Sequence, residues 1–150
     1  MNDTGEVVRK AFFDALNNAI DIPNDPINKV PIVDEKLDLN ITDNDLYMLI
    51  GGQQATQVNT KSTWADEVDL SITITNRRKA TNSKTTIENI ATQMLQVIFP
   101  DKTTVGINIV DPFRLSFVKR ISDNYTFEKT ADGWTISKQI IFKTRITQTP

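Results

Sequence analysis

The chain has 150 residues, of which 39% are hydrophobic and 24% charged, a balance typical of a globular domain and not of a disordered chain. It contains neither cysteine nor histidine, which excludes disulfides, thiolate chemistry and histidine-based acid–base or metal chemistry. The net charge of −2 argues against a dedicated nucleic-acid binder, and apolar runs such as residues 47–50 are far shorter than the roughly 20 residues of a membrane helix.

The charge is divided unevenly along the chain. Residues 1–75 hold 5 Lys+Arg and 13 Asp+Glu, whereas residues 76–150 hold 12 and 6. The two halves could neutralise each other within one fold. Alternatively, an acidic surface of one subunit could meet a basic surface of the next, in the head-to-tail contacts that build rings and filaments.

The first predicted element is an amphipathic helix from about Thr4 to Ile20, with Thr4 as its N-cap. Its apolar stripe comprises Val7, Val8, Ala11, Phe12, Ala15, Leu16 and Ala19. Residues 21–45 carry three prolines and many Asp and Asn residues. They predict an extended surface connection with one short strand near residues 30–33.

Two strands of different character are predicted next. Residues 46–50 form a continuous apolar run, which predicts a strand buried on both faces. The polar stretch 53–63 is either a strand of modest burial or a flexible loop. In residues 68–75, Val, Leu and Ile alternate with Asp, Ser and Thr, as a half-exposed antiparallel strand requires.

The second helix is predicted from Thr85, which would form a capping box with Glu88, to Phe99, where Pro100 ends it. Its buried stripe would comprise Ile87, Ile90, Ala91, Met94, Leu95 and Ile98. Short strands are then expected at residues 105–109, at residues 113–117 and around Tyr125 and Phe127.

The last predicted strand runs from Trp134 to Thr147 after an Asp132-Gly133 turn. Its length of about 45 Å exceeds what a small domain needs. A bulge could bend it, or it could extend toward a partner. Together the elements predict one α+β domain over residues 1–150, with a mostly antiparallel β-sheet packed against two amphipathic α-helices.

No motif for catalysis, a cofactor or a metal is found. Gly51-Gly52 lacks the rest of a phosphate-binding loop and is interpreted as a turn after the buried strand. Residues 43–45 (Asp-Asn-Asp) lack the glycine and distal glutamate of a calcium loop, so a solvated turn or helix cap is expected.

The remaining candidates for chemistry are also weak. Asp66, Glu67 and Asp69 are clustered, and two carboxylates can do acid–base work in a cleft. Glu67 and Asp69 would lie on the polar face of a strand, where they are expected to be solvated. The adjacent pairs Ser83-Lys84 and Ser137-Lys138 point apart, which is poor geometry for Ser-Lys catalysis. We therefore expect a protein that is not an enzyme and has no cofactor.

Interface candidates come from basic and aromatic residues. Residues 77–79 (Arg-Arg-Lys) with Lys84 form the densest basic segment, which would contact phosphates or an acidic neighbour unless it is a solvated loop. Trp64, in polar surroundings, is the better interface anchor, whereas Trp134 is expected in the core. The predicted interface set is Trp64, Arg77, Arg78, Lys79, Lys84, Lys143 and Arg145, the last two from the polar face of the final strand.

This order of elements resembles the tail-terminator, or tail-completion, proteins of tailed bacteriophages. The resemblance covers residues 7–146. In its first half it depends on the leading helix, the 46–51 run and the 60–64 stretch. In its second half it depends on the 67–77 strand ending in Asn76-Arg77, the Ile-Glu-Asn-Ile-Ala helix at 87–91 and the long final strand. The chain has Asp45-Leu46-Tyr47 where many members have Phe-Pro-Tyr. Residues 53–63 and 111–113 also differ from the family.

The resemblance implies a structural protein of the virion. Such proteins form rings, commonly hexamers, at the head-proximal end of the tail, where they contact the portal or connector and the tail-tube proteins. DNA passes through the lumen without being read, and the family has no catalytic residues. Another neck or baseplate ring component, or a monomeric bacterial protein-binding adaptor domain, is the alternative.

Overall fold

The structure is a computed structural model that describes residues 4–23, 25–34, 46–58, 64–77, 83–109, 113–130 and 133–148. Within these ranges the chain forms two helices and seven strands. They are α1 (Thr4–Leu16), β1 (Asp21–Ile22), β2 (Asp25–Lys29), β3 (Ile32–Asp34), β4 (Leu46–Gln57), β5 (Trp64–Asn76), α2 (Ser83–Ile98), β6 (Phe113–Thr130) and β7 (Gly133–Gln148).

The main sheet has five strands in the order β3-β4-β5-β7-β6. Its strand pairs are antiparallel except for β3, which runs parallel to β4. A small antiparallel hairpin of β1 and β2 lies apart from it. The prediction of a mostly antiparallel sheet with two helices is therefore confirmed, with one short parallel pair that the sequence did not reveal.

Both helices pack on the same face of the sheet, since α1 contacts β4 and β5, α2 contacts β5 and β7, and the helices contact each other. Most of their predicted apolar stripes lie in this interface, but Ala19 is exposed beyond the end of α1. The fully buried members are Val8, Phe12, Leu16, Ile87, Ile90, Met94 and Ile98. Phe12 of α1 and Phe99, just after α2, both pack against Phe142 of β7, with ring centroids 5.6 and 6.4 Å apart. Burying such side chains, at roughly 1.5–3 kcal/mol each, fixes which face the helices cover.

The first helix ends earlier than expected, at Leu16 and not at Ile20. Asn18 has a φ of 59°, the left-handed conformation that ends many helices and that Asn tolerates well. The N-cap prediction for Thr4 was also wrong. Thr4 lies inside the helix, and its hydroxyl donates a hydrogen bond to Oδ2 of Asp66 at 2.8 Å.

The second helix begins at Ser83, two residues before the predicted cap. Thr85 therefore lies within the first turn, and the predicted capping box with Glu88 does not form. The stripe from Ile87 to Ile98 is buried as expected except for Leu95, which is only partly buried. Tertiary packing and not the cap determines which side of α2 faces the sheet.

The strand β4 is longer than the apolar run that predicted it. Gly51-Gly52 is not a turn but part of a β-bulge, where the register shifts between Gly51 and Gln54. Gly52 has a φ of 58°, and a Cβ there would lie 3.0 Å from Oγ of Ser71. A glycine therefore allows the strand to continue, as an exposed strand, to Gln57. Residues 43–45 and 59–63 lie outside the described residues.

Residues 105–109 do not form the predicted strand. The segment packs against the end of α2, where the backbone N–H of Gly106 donates to the carbonyl of Ile98 at 2.8 Å. Ile107 is buried there, while Val105 and Ile109 are partly buried against the core. The alternation of apolar residues thus reflects packing against a helix and not against a neighbouring strand.

The two C-terminal strands form one long hairpin. The predicted strand at 113–117 and the short strand around Tyr125 and Phe127 are parts of a single 18-residue strand, β6. Thr130 pairs with Gly133, so two residues connect the strands. Neither described helix is long and apolar enough to cross a membrane.

Candidate interaction surface

Along β5 and β7 the sheet face opposite the helices is polar apart from Ile141, and no described helix covers it. Because side chains alternate along a strand, the odd-numbered residues of β5 and β7 share this face, here called the open face. Its members include Glu67, Asp69, Thr73, Ser137, Gln139, Lys143 and Arg145, none of them fully buried. The opposite face of the same strands carries Leu70, Ile72, Ile140 and Phe142, all 0% exposed.

Charges on the open face converge on Glu67. Nη2 of Arg145, directly across from it in the register, donates to Oε1 at 2.6 Å. Nζ of Lys143 lies 3.8 Å from Oε2. The guanidinium of Arg145 also lies 5.2 Å from the ring centroid of Phe117, a cation–π distance. The predicted interface residues Lys143 and Arg145 are thus brought together, and the carboxylate expected to be solvated is paired with both.

Three buried polar atoms near the end of the sheet that carries Glu67 have no hydrogen-bond partner among the described residues. They are Oδ1 of Asp69, Nε of Arg145 and Nε1 of Trp64. Unsatisfied buried polar groups are costly. A hydrogen-bond donor or acceptor supplied by another molecule would therefore be stabilising at this end of the sheet.

Trp64 lies in different surroundings from those expected. The side chain is half-buried, packs against the hydrophobic core and faces Phe113 with ring centroids 6.5 Å apart. This packing leaves part of the indole accessible at the end of the sheet. The side chain of Trp134 lies outside the described part of the chain.

Arg77, at the other end of β5, is exposed but held in place. Its Nη2 donates to the hydroxyl of Tyr47 at 3.2 Å, and its guanidinium carbon lies 5.5 Å from the centroid of that ring. Arg78 and Lys79 lie outside the described residues. Of the predicted basic segment, the structure therefore places Arg77 and Lys84.

Lys84 belongs to a cluster around Tyr125 that joins α2 to the hairpin. The ammonium groups of Lys84 and Lys138 lie 5.3 and 5.0 Å from the centroid of the Tyr125 ring. The Tyr125 hydroxyl donates to Oε1 of Glu88 at 3.3 Å. Burial, and then the Glu88 carboxylate, raises the pKa of Tyr125 above its usual value, so the neutral phenol is favoured as a donor.

The described members of the predicted interface set therefore occupy separate places. Lys143 and Arg145 lie together on the open face, Trp64 lies at one end of the sheet, and Arg77 and Lys84 lie toward the other. Over the described ranges, no group of three or more acidic side chains is arranged to hold a metal ion.

Sequence reasoning missed the outer edge of the sheet at β6. Ile121 and Phe127, six residues apart on this strand, are exposed there by 47% and 53%, high values for large apolar side chains. Beside this edge, α2 and β6 border a shallow groove of about 390 Å³. The groove is lined by Thr92, Leu95, Gln96, Phe99 and Arg120.

The fold defines an α+β domain with both helices on one face of a five-stranded sheet. No protein-family model matches the sequence, and no curated protein matches it. Among solved structures, a chain of a structure described as "Virion of native gene transfer agent (GTA) particle" is similar with a TM-score of 0.55 and 12% sequence identity. The similarity covers 91% of this chain and 84% of that chain, and it shows a shared fold.

Proposed function

We propose that this chain is a structural protein of a phage-like virion, a subunit of an oligomeric ring at the head–tail junction that joins the tail to the connector without catalysis. The observation that carries the proposal is the fold shared with a chain of a gene transfer agent virion over 91% of the present chain. The order of elements that resembles tail-terminator proteins supports the same assignment.

The geometry is suited to contacts with other proteins. A ring subunit needs two different surfaces that bind each other in a head-to-tail manner. Arg77 and Lys84 expose positive charge toward one end of the sheet, while exposed acidic side chains such as Glu6 and Asp14 lie on α1. Complementary charge of this kind orients partners and suppresses wrong ones.

The proposal includes the partners of the ring. Portal or connector proteins would bind on one side and tail-tube proteins on the other, and DNA would pass through the lumen without base-specific contacts. The candidate contact residues remain Trp64, Arg77, Lys84, Lys143 and Arg145, with Arg78 and Lys79 from the same basic segment.

The state of the purified chain tests this proposal. Sedimentation velocity, native mass spectrometry and negative-stain electron microscopy should show a closed oligomer larger than a dimer. Arg77→Glu should shift the population toward smaller species, since it reverses an exposed charge of the proposed interface. Lys102→Glu, an exposed lysine beyond α2, is the matched control and should leave the oligomer intact.

Two outcomes would contradict the proposal. Monomers or dimers at every concentration would exclude a self-assembling ring and would favour a monomeric adaptor or another assembly. Equal oligomer populations of the Arg77→Glu and Lys102→Glu proteins would show that Arg77 is not part of the ring contact.

A further inference from the structure

The outer edge of β6 is a long strand edge without a partner among the described residues. β6 is the last strand of the main sheet and pairs with β7 alone. The backbone N–H and C=O groups along an outer edge are a template for a further strand. The exposed Ile121 and Phe127 lie on this edge, and Arg120, the neighbour of Ile121, lines the groove beside α2.

We propose that, in chains outside the ring, β6 pairs in antiparallel fashion with β6 of a second copy of this chain, about a two-fold axis at Asn124. The two five-stranded sheets would then form one continuous sheet. In such an isologous contact the same surface is used by both copies, so the strand must be complementary to itself when reversed. The sequence of β6 meets this requirement at successive positions on both sides of Asn124.

Near the axis the opposed side chains are compatible. With Asn124 opposite Asn124 of the second copy, Ser122 lies opposite Thr126 and Asp123 opposite Tyr125. The Tyr125 ring is flanked by the ammonium groups of Lys84 and Lys138. The Asp123 carboxylate of one copy would therefore meet the positive charge of these ammonium groups on the other.

The bulge in β6 preserves the match farther from the axis. Arg120 pairs with Phe142 and Ser122 with Ile141, so Ile121 is the extra residue. With Ile121 skipped in the same way, Arg120 comes opposite Phe127 and Lys119 opposite Glu128. Arg120 and Phe127 also lie on the same face of the sheet, because Phe127 pairs with Ile136 and Arg120 pairs with Phe142, both on the helix face of β7.

Both outer pairs are attractive. An arginine over an aromatic ring is a favourable cation–π pair, and opposite charges directly across two strands stabilise the pairing. Arg120 also lines the groove that contains Leu95 and Phe99. The exposed Phe127 of the second copy would thus lie near the apolar side chains Leu95 and Phe99. Each pair occurs twice in the dimer because of the two-fold axis.

A cysteine on the axis tests the register. The chain contains no cysteine, so a single introduced thiol gives an unambiguous result. In Asn124→Cys the two Cα atoms would be about 4.5–5.5 Å apart, within the range for a disulfide. In Thr126→Cys, the matched control on the same face, they would be separated by about four residues, roughly 13 Å. Oxidation should give disulfide-linked dimers of the Asn124→Cys protein and not of the control.

A charge swap tests the same contact by a second measurement. Lys119→Glu and Glu128→Lys each place like charges opposite one another twice per dimer. Either should raise the dimer dissociation constant roughly tenfold or more. The double variant Lys119→Glu/Glu128→Lys restores opposite charges and should recover most of the affinity, as measured by sedimentation velocity over a concentration series.

Equal disulfide formation in the Asn124→Cys and Thr126→Cys proteins, or failure of the double variant to recover affinity, would overturn the proposal. The result is separable from the ring. Closed rings without the Asn124 cross-link would support the proposed function and contradict the β6 contact. Cross-linked dimers without larger oligomers would support the β6 contact and contradict the proposed ring.

Discussion

Glu67 is the residue through which β5 binds the basic side chains of β7 on the open face. Its side chain is 20% exposed, and Arg145 contacts it at 2.6 Å with a guanidinium whose Nε is buried without a partner. Removing the carboxylate charge would leave this guanidinium without its counterion, which costs more than the pair itself contributes.

Glu67→Gln should therefore lower the free energy of unfolding by about 1–2 kcal/mol, a value reduced by the solvent screening of the partly exposed Arg145. Urea unfolding at low protein concentration measures it. Lys143→Gln is the matched control, since its ammonium lies 3.8 Å away, and should cost about 0.5 kcal/mol or less. Equal losses in the two variants would contradict the assigned role of Arg145.

The residue scale also shows where sequence reasoning stops. The alternation in β5 and β7 correctly placed Glu67, Lys143 and Arg145 on polar faces. It could not pair them, because the register between strands distant in sequence depends on packing of the whole sheet. Glu67 was therefore expected to be solvated, and the buried unpaired atoms of Asp69 and Trp64 gave no signal in the sequence.

At the scale of elements, the segment after α2 depends on one glycine. A Cβ at Gly106 would lie 2.0 Å from the carbonyl oxygen of Val97, a distance that no side chain can adopt without a backbone shift. The close approach allows the Gly106 N–H to bind the carbonyl of Ile98 and brings Ile107 into the core.

Gly106→Ala should lower the free energy of unfolding by about 2–3 kcal/mol, because the segment must move away from α2 and lose its packing. Asn108→Ala, at an exposed position of the same segment, should change it by less than about 0.5 kcal/mol. Chemical denaturation of both variants provides the comparison. A tolerated alanine at position 106 would show that the segment does not require this contact.

The same segment explains why element prediction succeeded unevenly. Strands β5 and β7 and both helices were found from their periodicity, since each buries one regular face. Residues 105–109 alternate in the same way but lie against a helix, and periodicity alone cannot distinguish the two environments. The cap at Thr85 failed for a related reason, because α2 is held by the stripe from Ile87 to Ile98 and not by its first turn.

At the scale of the whole molecule, the uneven charge distribution is partly neutralised within the chain. Glu67 from the acidic half binds Lys143 and Arg145 from the basic half. The length of the final strand, β7, is explained in part by its pairing with β6. Residues 133–148 of β7 pair with β6, whereas only residues 136–148 also pair with β5. The end of the hairpin and the edge of β6 remain as surfaces for contacts between chains.

The described core is continuous across the sheet and both helices, and we predict that the chain unfolds as one domain. Buried side chains of α1, α2, β4, β5, β6 and β7 belong to a single cluster, so no group of elements has a separate core to retain. Trp64 lies at one end of the sheet, and the β7 backbone at Trp134 lies at the other.

Fluorescence of the single-tryptophan variants Trp64→Phe and Trp134→Phe and far-ultraviolet circular dichroism should therefore each report one urea transition, with signals that coincide within each variant. The measurements require low protein concentration, because self-association would raise the midpoint as concentration increases. Both variants should show the same slope of free energy against urea, since that slope follows the surface exposed on unfolding. Transitions that separate between Trp64 and Trp134 would instead show that the far end of the hairpin opens before the helices leave the sheet.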